Sequence, residues 1–285
     1  MPNFPIVDSH VHLWDPNYFR LPWLDGAPAI NTLHGLKEYA AHTAGPNIDI
    51  EAMVYLEVDI APHYALMEPV WVAARAQEDP RIKAIVATAP VEFGEQTRAY
   101  LEALVKTTPL VKGIRRLVQG EADDHFQTQP RFIRGAQMLA DYGLSFDICI
   151  KHWQLPATIE LVKQCPNVSF ILDHIGKPNI ASGELEPWRA NIFKLAELPN
   201  VICKVSGMAN EAAEKWTLED LRPYFETVYE AFGEDRVAFG GDWPVCTLAT
   251  TYSQWVKTME TLTAPLSESA QRKLWNENAK RFYRI

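Results

Sequence analysis

Two histidines one residue apart, His10 and His12, end a short apolar run, Ile6-Val7-Asp8-Ser9-His10-Val11-His12, near the start of the chain. Alternate side chains of a strand share a face, so this spacing predicts that Asp8, His10 and His12 project together from the strand's C-terminal end. Imidazoles beside a carboxylate can hold a divalent metal or move protons. A His-x-His pair can equally be solvated at a strand end, and the rest of the chain decides between the two. Polar residues recur at or near the ends of later apolar runs: Glu57 and Asp59, Arg115 and Arg116, Lys151 and His152, His174, and Asp242.

Those positions need a scaffold. Short β-branched or apolar runs fall at 6–11, 52–58, 82–88, 112–118, 145–151, 168–173, 200–206 and 236–241, with amphipathic stretches between most of them. Eight such runs alternating with helices predict parallel strands closed into a (β/α)8 TIM barrel, one domain over 1–285, with functional groups at the C-terminal strand ends. Apolar residues at helical spacing mark helices over 68–76 and 131–140, the second stopped at Tyr142-Gly143. The stretch from about Leu13 to Asp49 is long for a strand-to-helix connection and rich in Trp, Tyr, Phe and Pro, which predicts a folded flap over the barrel mouth with a short helix near 35–43. Whether its aromatic residues touch substrate or fill a satellite core stays open at this point.

Composition narrows the function classes. The chain has 285 residues, 47% of them hydrophobic, and a net charge of −9 with dispersed Lys and Arg, so a nucleic-acid partner is not expected. No basic segment followed by an apolar stretch opens the chain, and no apolar run approaches the roughly 20 residues that span a bilayer, so a soluble cytoplasmic protein without a membrane partner is expected. Cys149, Cys165, Cys203 and Cys246 are too widely spaced for a zinc pair or a disulfide scaffold and read as buried thiols. Oligomeric state is not legible.

Three further segments join the first: Leu172-Asp173-His174-Ile175-Gly176-Lys177-Pro178, Phe239-Gly240-Gly241-Asp242-Trp243-Pro244-Val245, and Val111-Lys112-Gly113-Ile114-Arg115-Arg116. With Asn200-Val201-Ile202-Cys203-Lys204-Val205-Ser206-Gly207 and the closing Asn278-Ala279-Lys280-Arg281-Phe282-Tyr283, the chain resembles the amidohydrolase superfamily nearly end to end. The nearer likeness is to its lactonase branch, which acts on 2-pyrone-4,6-dicarboxylate, L-fuconolactone and L-rhamnonolactone. The resemblance implies a site made of His10, His12, His174 and Asp242. Asp242 would be the general base, with His174 and Arg115 polarising a lactone carbonyl. His10, His12, His174 and Asp242 would be the ligands of one divalent metal, zinc first by ligand type, although the branch includes enzymes that work without metal. Two-metal members of the superfamily bridge their ions with a carboxylated lysine or an acidic residue on the fourth or fifth strand; Lys112 falls at the wrong end of its strand, and Lys151 is better placed, though its neighbour His152 could equally be the useful group.

A small sugar-acid lactone is the expected substrate, gripped by Trp14 and Trp243, with Trp23 and Trp153 also near strand ends and His152 as a polar contact. Arg115 and Arg116 must face opposite ways, and Arg115 is expected to enter the barrel. Glu57 and Asp59 read as salt-bridge partners on the rim, and His34, His42, His63 and His125 as surface residues. Asp242 could instead cap a helix and His174 could be a rim histidine bonded to backbone. A zinc-dependent nonoxidative decarboxylase of the same superfamily and a noncatalytic sugar-acid binder remain the competing readings.

Overall fold

The structure is a computed structural model and describes residues 4–45 and 48–285. Its strands are β1 (Ile6–Val11), β2 (Ile50–Leu56), β3 (Ile82–Thr88), β4 (Val111–Arg115), β5 (Ser145–Ile148), β6 (Phe170–Leu172), β7 (Val201–Val205) and β8 (Val237–Phe239). Each pairs in parallel with the next, in the order β1 to β8. The seam is closed by backbone bonds just past β8: the Asp242 N–H donates to the His10 carbonyl and the His12 N–H to the Trp243 carbonyl, both at 2.8 Å. Closure therefore brings the first and last sequence motifs side by side. With helices in the connections, this is a (β/α)8 TIM barrel.

Parallel strands covered on both faces read as continuous apolar runs rather than alternating ones, and β1, β5, β6 and β8 are buried at every position. The later strands stop short of the runs that announced them, β5 at Ile148 and β4 at Arg115. Their last apolar residues leave the ladder to begin the loops at the barrel mouth. The expected helices span Leu36–Thr43, Met67–Glu78 and Pro130–Gln137. The last of these begins on a proline, tightens into a 3₁₀ turn and stops at Gly143, whose positive φ of 63° a glycine adopts without steric cost.

Inside the barrel, Val54, Leu56, Ala84, Val86 and Ile171 form a buried cluster with Tyr283 from the C-terminal helix Asn278–Tyr283. A barrel of this kind is filled by layers of side chains. Lys204 and Asp147 are fully buried as well.

Strand parity misplaces Asp8. The pairing of β1 with β2 shifts register between Asp8 and Val11, so Asp8 does not share a face with the two histidines. Its carboxylate instead accepts bonds from the phenols of Tyr39 and Tyr252, on the surrounding helices, and from the Gly241 N–H at 2.7 Å. Gly241 is required there, because a Cβ would lie 2.5 Å from the Asp8 carboxylate and 2.4 Å from the Tyr252 ring. Among the described residues, no helix is long and apolar enough to cross a membrane.

Candidate active site

Four side chains from three barrel strands meet at the mouth. The Nε2 atoms of His10 and His12 are 3.1 Å apart, and Asp242 Oδ1 lies 3.6 Å from each. His174 Nδ1 is 3.9 Å from the other Asp242 oxygen. The backbone that aims these groups is unusual: Asp59, His174, Ile175, Lys177 and Asp242 all have positive φ without being glycine. Such conformations persist only where the surrounding structure holds them, and here all five fall in the loops after β2, β6 and β8.

The hydrogen-bond partners set the tautomers. His12 Nδ1 lies 3.0 Å from the Leu56 carbonyl, which can only accept, so Nδ1 carries a proton and Nε2 is the nitrogen turned to the site. His10 Nδ1 is 3.4 Å from the Asp173 carboxylate. His174 Nδ1 shares a 2.9 Å bond with the Ser206 hydroxyl. Burial, followed by the charge of Lys204, holds His10 well below the usual imidazole range, and burial followed by His10 does the same to His174. Both rings are therefore neutral near pH 7.

A dense ion-pair network supports them. Arg115 donates from Nε to Glu57 at 2.6 Å and from Nη2 to the Glu57 carbonyl at 2.6 Å, while Nη1 lies 3.4 Å from both Asp173 and His10 Nε2. Lys204 donates to Asp147 at 2.6 Å and lies 3.0 Å from Asp173. Burial alone would raise the Asp173 pKa, but Lys204 and Arg115 outweigh it and hold the carboxyl below its usual value. Tyr283 donates a further bond to Asp147.

These groups face a cavity of about 230 Å³. His12, Arg115, His174 and Asp242 form its floor with Cys149, and Trp23 closes one side. Gln119, Lys177, Asn210 and Glu211 also line it. Asp242 is 4% exposed, yet no protein donor lies within hydrogen-bond distance of its carboxylate among the described residues; the nearest groups are the ring nitrogens. Asp242 is thus not spent on capping a helix, and His174 is bonded to a hydroxyl rather than to backbone.

The donor set fits a divalent metal. Two imidazole nitrogens and a carboxylate oxygen with mutual spacings of 3.1 to 3.6 Å surround one point at about the bond length zinc takes with N and O ligands, ~2.0–2.2 Å. A backbone carbonyl behind His12 and a carboxylate behind His10 are the outer partners that metal-binding histidines commonly have. His10, His174 and Asp242 also cluster closely enough to act together.

Other expected contacts fall elsewhere. Trp14 and Trp243 are fully buried and line no part of the cavity: Trp14 packs on Trp23 and His34, and Trp243 on His34, Tyr39 and His42. Both belong to the main hydrophobic core, and Trp23 is the tryptophan of the 13–49 segment that reaches the cavity. His34 is accordingly half-buried rather than a surface residue. His152 sits outside the cavity lining with its Nδ1 against the Lys177 carbonyl, Trp153 is exposed, and Lys151 pairs with Glu211. Glu57 is a buried partner of Arg115, not a rim residue, and Asp59 has no ion pair among the described residues. Arg115 enters the barrel as parity predicts, while Arg116 turns away to Glu92 and Glu121. Lys204, Asp173 and Ser206, which position the rings, carry no role in the sequence reading.

Comparison with known proteins identifies the family. An amidohydrolase family model matches residues 7–285. An L-fucono-1,5-lactonase of Burkholderia multivorans is 29% identical over 298 residues, covering 98% of this chain and 96% of that one. An L-rhamnono-gamma-lactonase of Scheffersomyces stipitis is 27% identical over 341 residues, covering both chains fully. A crystal structure of an amidohydrolase from Burkholderia multivorans with bound zinc superposes with a TM-score of 0.88 at 26% identity, covering 99% of this chain and 100% of that one.

Proposed function

Because this chain belongs to the amidohydrolase family, we propose that it is a lactonase that opens the ring of a sugar-acid lactone of the L-fuconolactone or L-rhamnonolactone kind. The observation that carries this reading is the buried Asp242 carboxylate, which lines the cavity, has no protein hydrogen-bond donor among the described residues, and holds Oδ1 3.6 Å from the Nε2 atoms of His10 and His12.

Ring opening adds water across one ester bond. The water oxygen bonds to the carbonyl carbon, the ring C–O bond breaks, and one proton moves from water to the departing alkoxide. Asp242 is placed to take that proton and return it, since it faces the cavity and holds no competing bond. Negative charge developing on the carbonyl oxygen needs fixed positive groups in a low-dielectric site, and Arg115 and Lys177 line the cavity. Glu57 orients Arg115, and although burial works against the charge, Glu57 and Asp173 outweigh it and hold the guanidinium charged. Gln119, Asn210 and Glu211 offer donors and acceptors to ring hydroxyls, and the Trp23 face offers an apolar surface to the ring's C–H side. A divalent ion held by His10, His12 and Asp242, with His174 as a further donor, would polarise the carbonyl and ease deprotonation of water; zinc suits the ligand types best.

The test is a panel of aldonolactones followed with a pH indicator, before and after dialysis against a strong chelator. Acid release from an L-fucono- or L-rhamnonolactone is expected, with Asp242→Asn lowering kcat by about a thousandfold or more while the variant still binds the aldonic acid product. Inactivity on every lactone would refute the reading. So would undiminished turnover by Asp242→Asn.

A further inference from the structure

A second cavity of about 520 Å³ opens beside the first, between the loops that follow β2, β3 and β4. Asp59 and Leu117 line both, so the two are neighbours across one shared wall. The catalytic cavity, at about 230 Å³, is below the ~300–1,000 Å³ usual for enclosing a drug-sized ligand, and one small ring is what suits it. The second is within that range.

The lining of the second cavity specifies a chemistry. Ile60, Pro62, Ala89 and Pro90 give it apolar walls; the Phe93 ring stands 51% exposed, and the Tyr100 ring is pinned by a 3.1 Å bond from its hydroxyl to the Thr88 carbonyl. Among these walls stand carboxylates with unused acceptors. Among the described residues, Asp59 has neither a hydrogen bond nor an ion pair on its carboxylate, although its N–H is anchored 2.7 Å from Glu57 and its φ is 51°. Glu92 gives Oε1 to Arg116 at 3.0 Å and leaves Oε2 buried without a partner. An anion is disfavoured, because Glu57, Asp59 and Glu92 outnumber Arg116, which is already paired. A wholly apolar ligand would strip water from the exposed Asp59 carboxylate and replace none of its bonds. A neutral sugar ring satisfies both demands, laying a C–H face on Phe93 and donating a hydroxyl to Asp59.

We infer that the second cavity is a glycosyl subsite and that the preferred substrate is the lactone of a glycosylated sugar acid, its lactone ring over Asp242 and its second sugar ring against Phe93. This rests on the lactonase reading for the first ring. Binding tests it without turnover: calorimetry on the whole protein compares gluconate and galactonate with cellobionate, maltobionate, lactobionate and melibionate. At least one disaccharide acid is expected to bind about tenfold more tightly than its own monomer acid. Phe93→Ala, and Ala65→Phe to fill the space, should each erase that increment and leave monomer binding within about twofold. The inference is overturned if no disaccharide acid binds more tightly than its monomer, or if the increment survives both variants. Should the increment follow the variants while no lactone of any size is hydrolysed, the subsite stands and the lactonase reading falls.

Discussion

Lys204 shows how a single residue can organise the site without touching substrate. It is fully buried, bonded to Asp147 and close to Asp173, which in turn faces the Nδ1 of His10. Removing one partner of a buried ion pair leaves the other charge uncompensated, typically at ~3–5 kcal/mol. Lys204→Met is therefore expected to lose stability of that size in urea denaturation, whereas Lys163→Met, in an exposed pair with Glu160, should lose less than about 1 kcal/mol. A lysine in the middle of the otherwise apolar Val201–Val205 strand was a signal in the sequence, because such a charge is tolerated in a core only with partners. What the sequence withheld was which partners, since Asp147 and Asp173 come from two other strands.

Each element's pairing determines which side chains reach the mouth. A one-residue irregularity in β1 turns Asp8 outward, and the seam bonds after β8 bring Asp242 to His10. The loop after β7 adds Gly207, where a Cβ would stand 2.6 Å from His174 Nδ1, so Gly207→Ala should push the imidazole out of place and reduce kcat while the fold persists by circular dichroism. The helix Met67–Glu78 carries a different cost. Glu68 is buried, accepting bonds from the Tyr55 hydroxyl and the Val58 N–H, and burial, with the charge of Glu57, raises its pKa from 4.5 to about 8. The folded chain therefore binds this proton more tightly than the unfolded chain. Its stabilising contribution is complete below pH 4.5 and is lost as pH rises through about 8. Glu68→Gln keeps the acceptor and removes the ionisation, so its stability relative to the parent should improve by on the order of 3 kcal/mol between pH 5 and pH 8, measured by urea denaturation at both.

For the whole molecule, closure of the barrel and occupation of its site are coupled. Donors that meet only in the folded chain bind metal only there, so zinc added at about a hundred times its Kd should stabilise the protein by ~2.7 kcal/mol. A rise in Tm on adding zinc to chelator-treated protein, abolished in His12→Gln, is the expected result; an unchanged Tm would argue for a metal-free site. At the opposite end of the chain, Tyr283 reaches back into the barrel interior to Asp147, so the last helix belongs to the core. Tyr283→Ala should cost ~3–5 kcal/mol in denaturation, the range for emptying a buried aromatic site.

Apolar runs, their number and their alternation with helical spacing were enough to determine eight parallel strands, because burial on both faces leaves a local imprint at every position of a run. The His-x-His pair, the single histidine after β6 and the aspartate after β8 were visible for the same reason: polar residues at the ends of apolar runs stand out along the chain. Only the tertiary structure decided that Trp23 rather than Trp14 or Trp243 reaches the cavity, that Asp8 faces outward, and that Lys204 and Asp173 stand behind His10. Those outcomes turn on register shifts, positive-φ turns and contacts between strands far apart in sequence, and no short stretch of residues encodes a relation whose second member lies a hundred or more positions away.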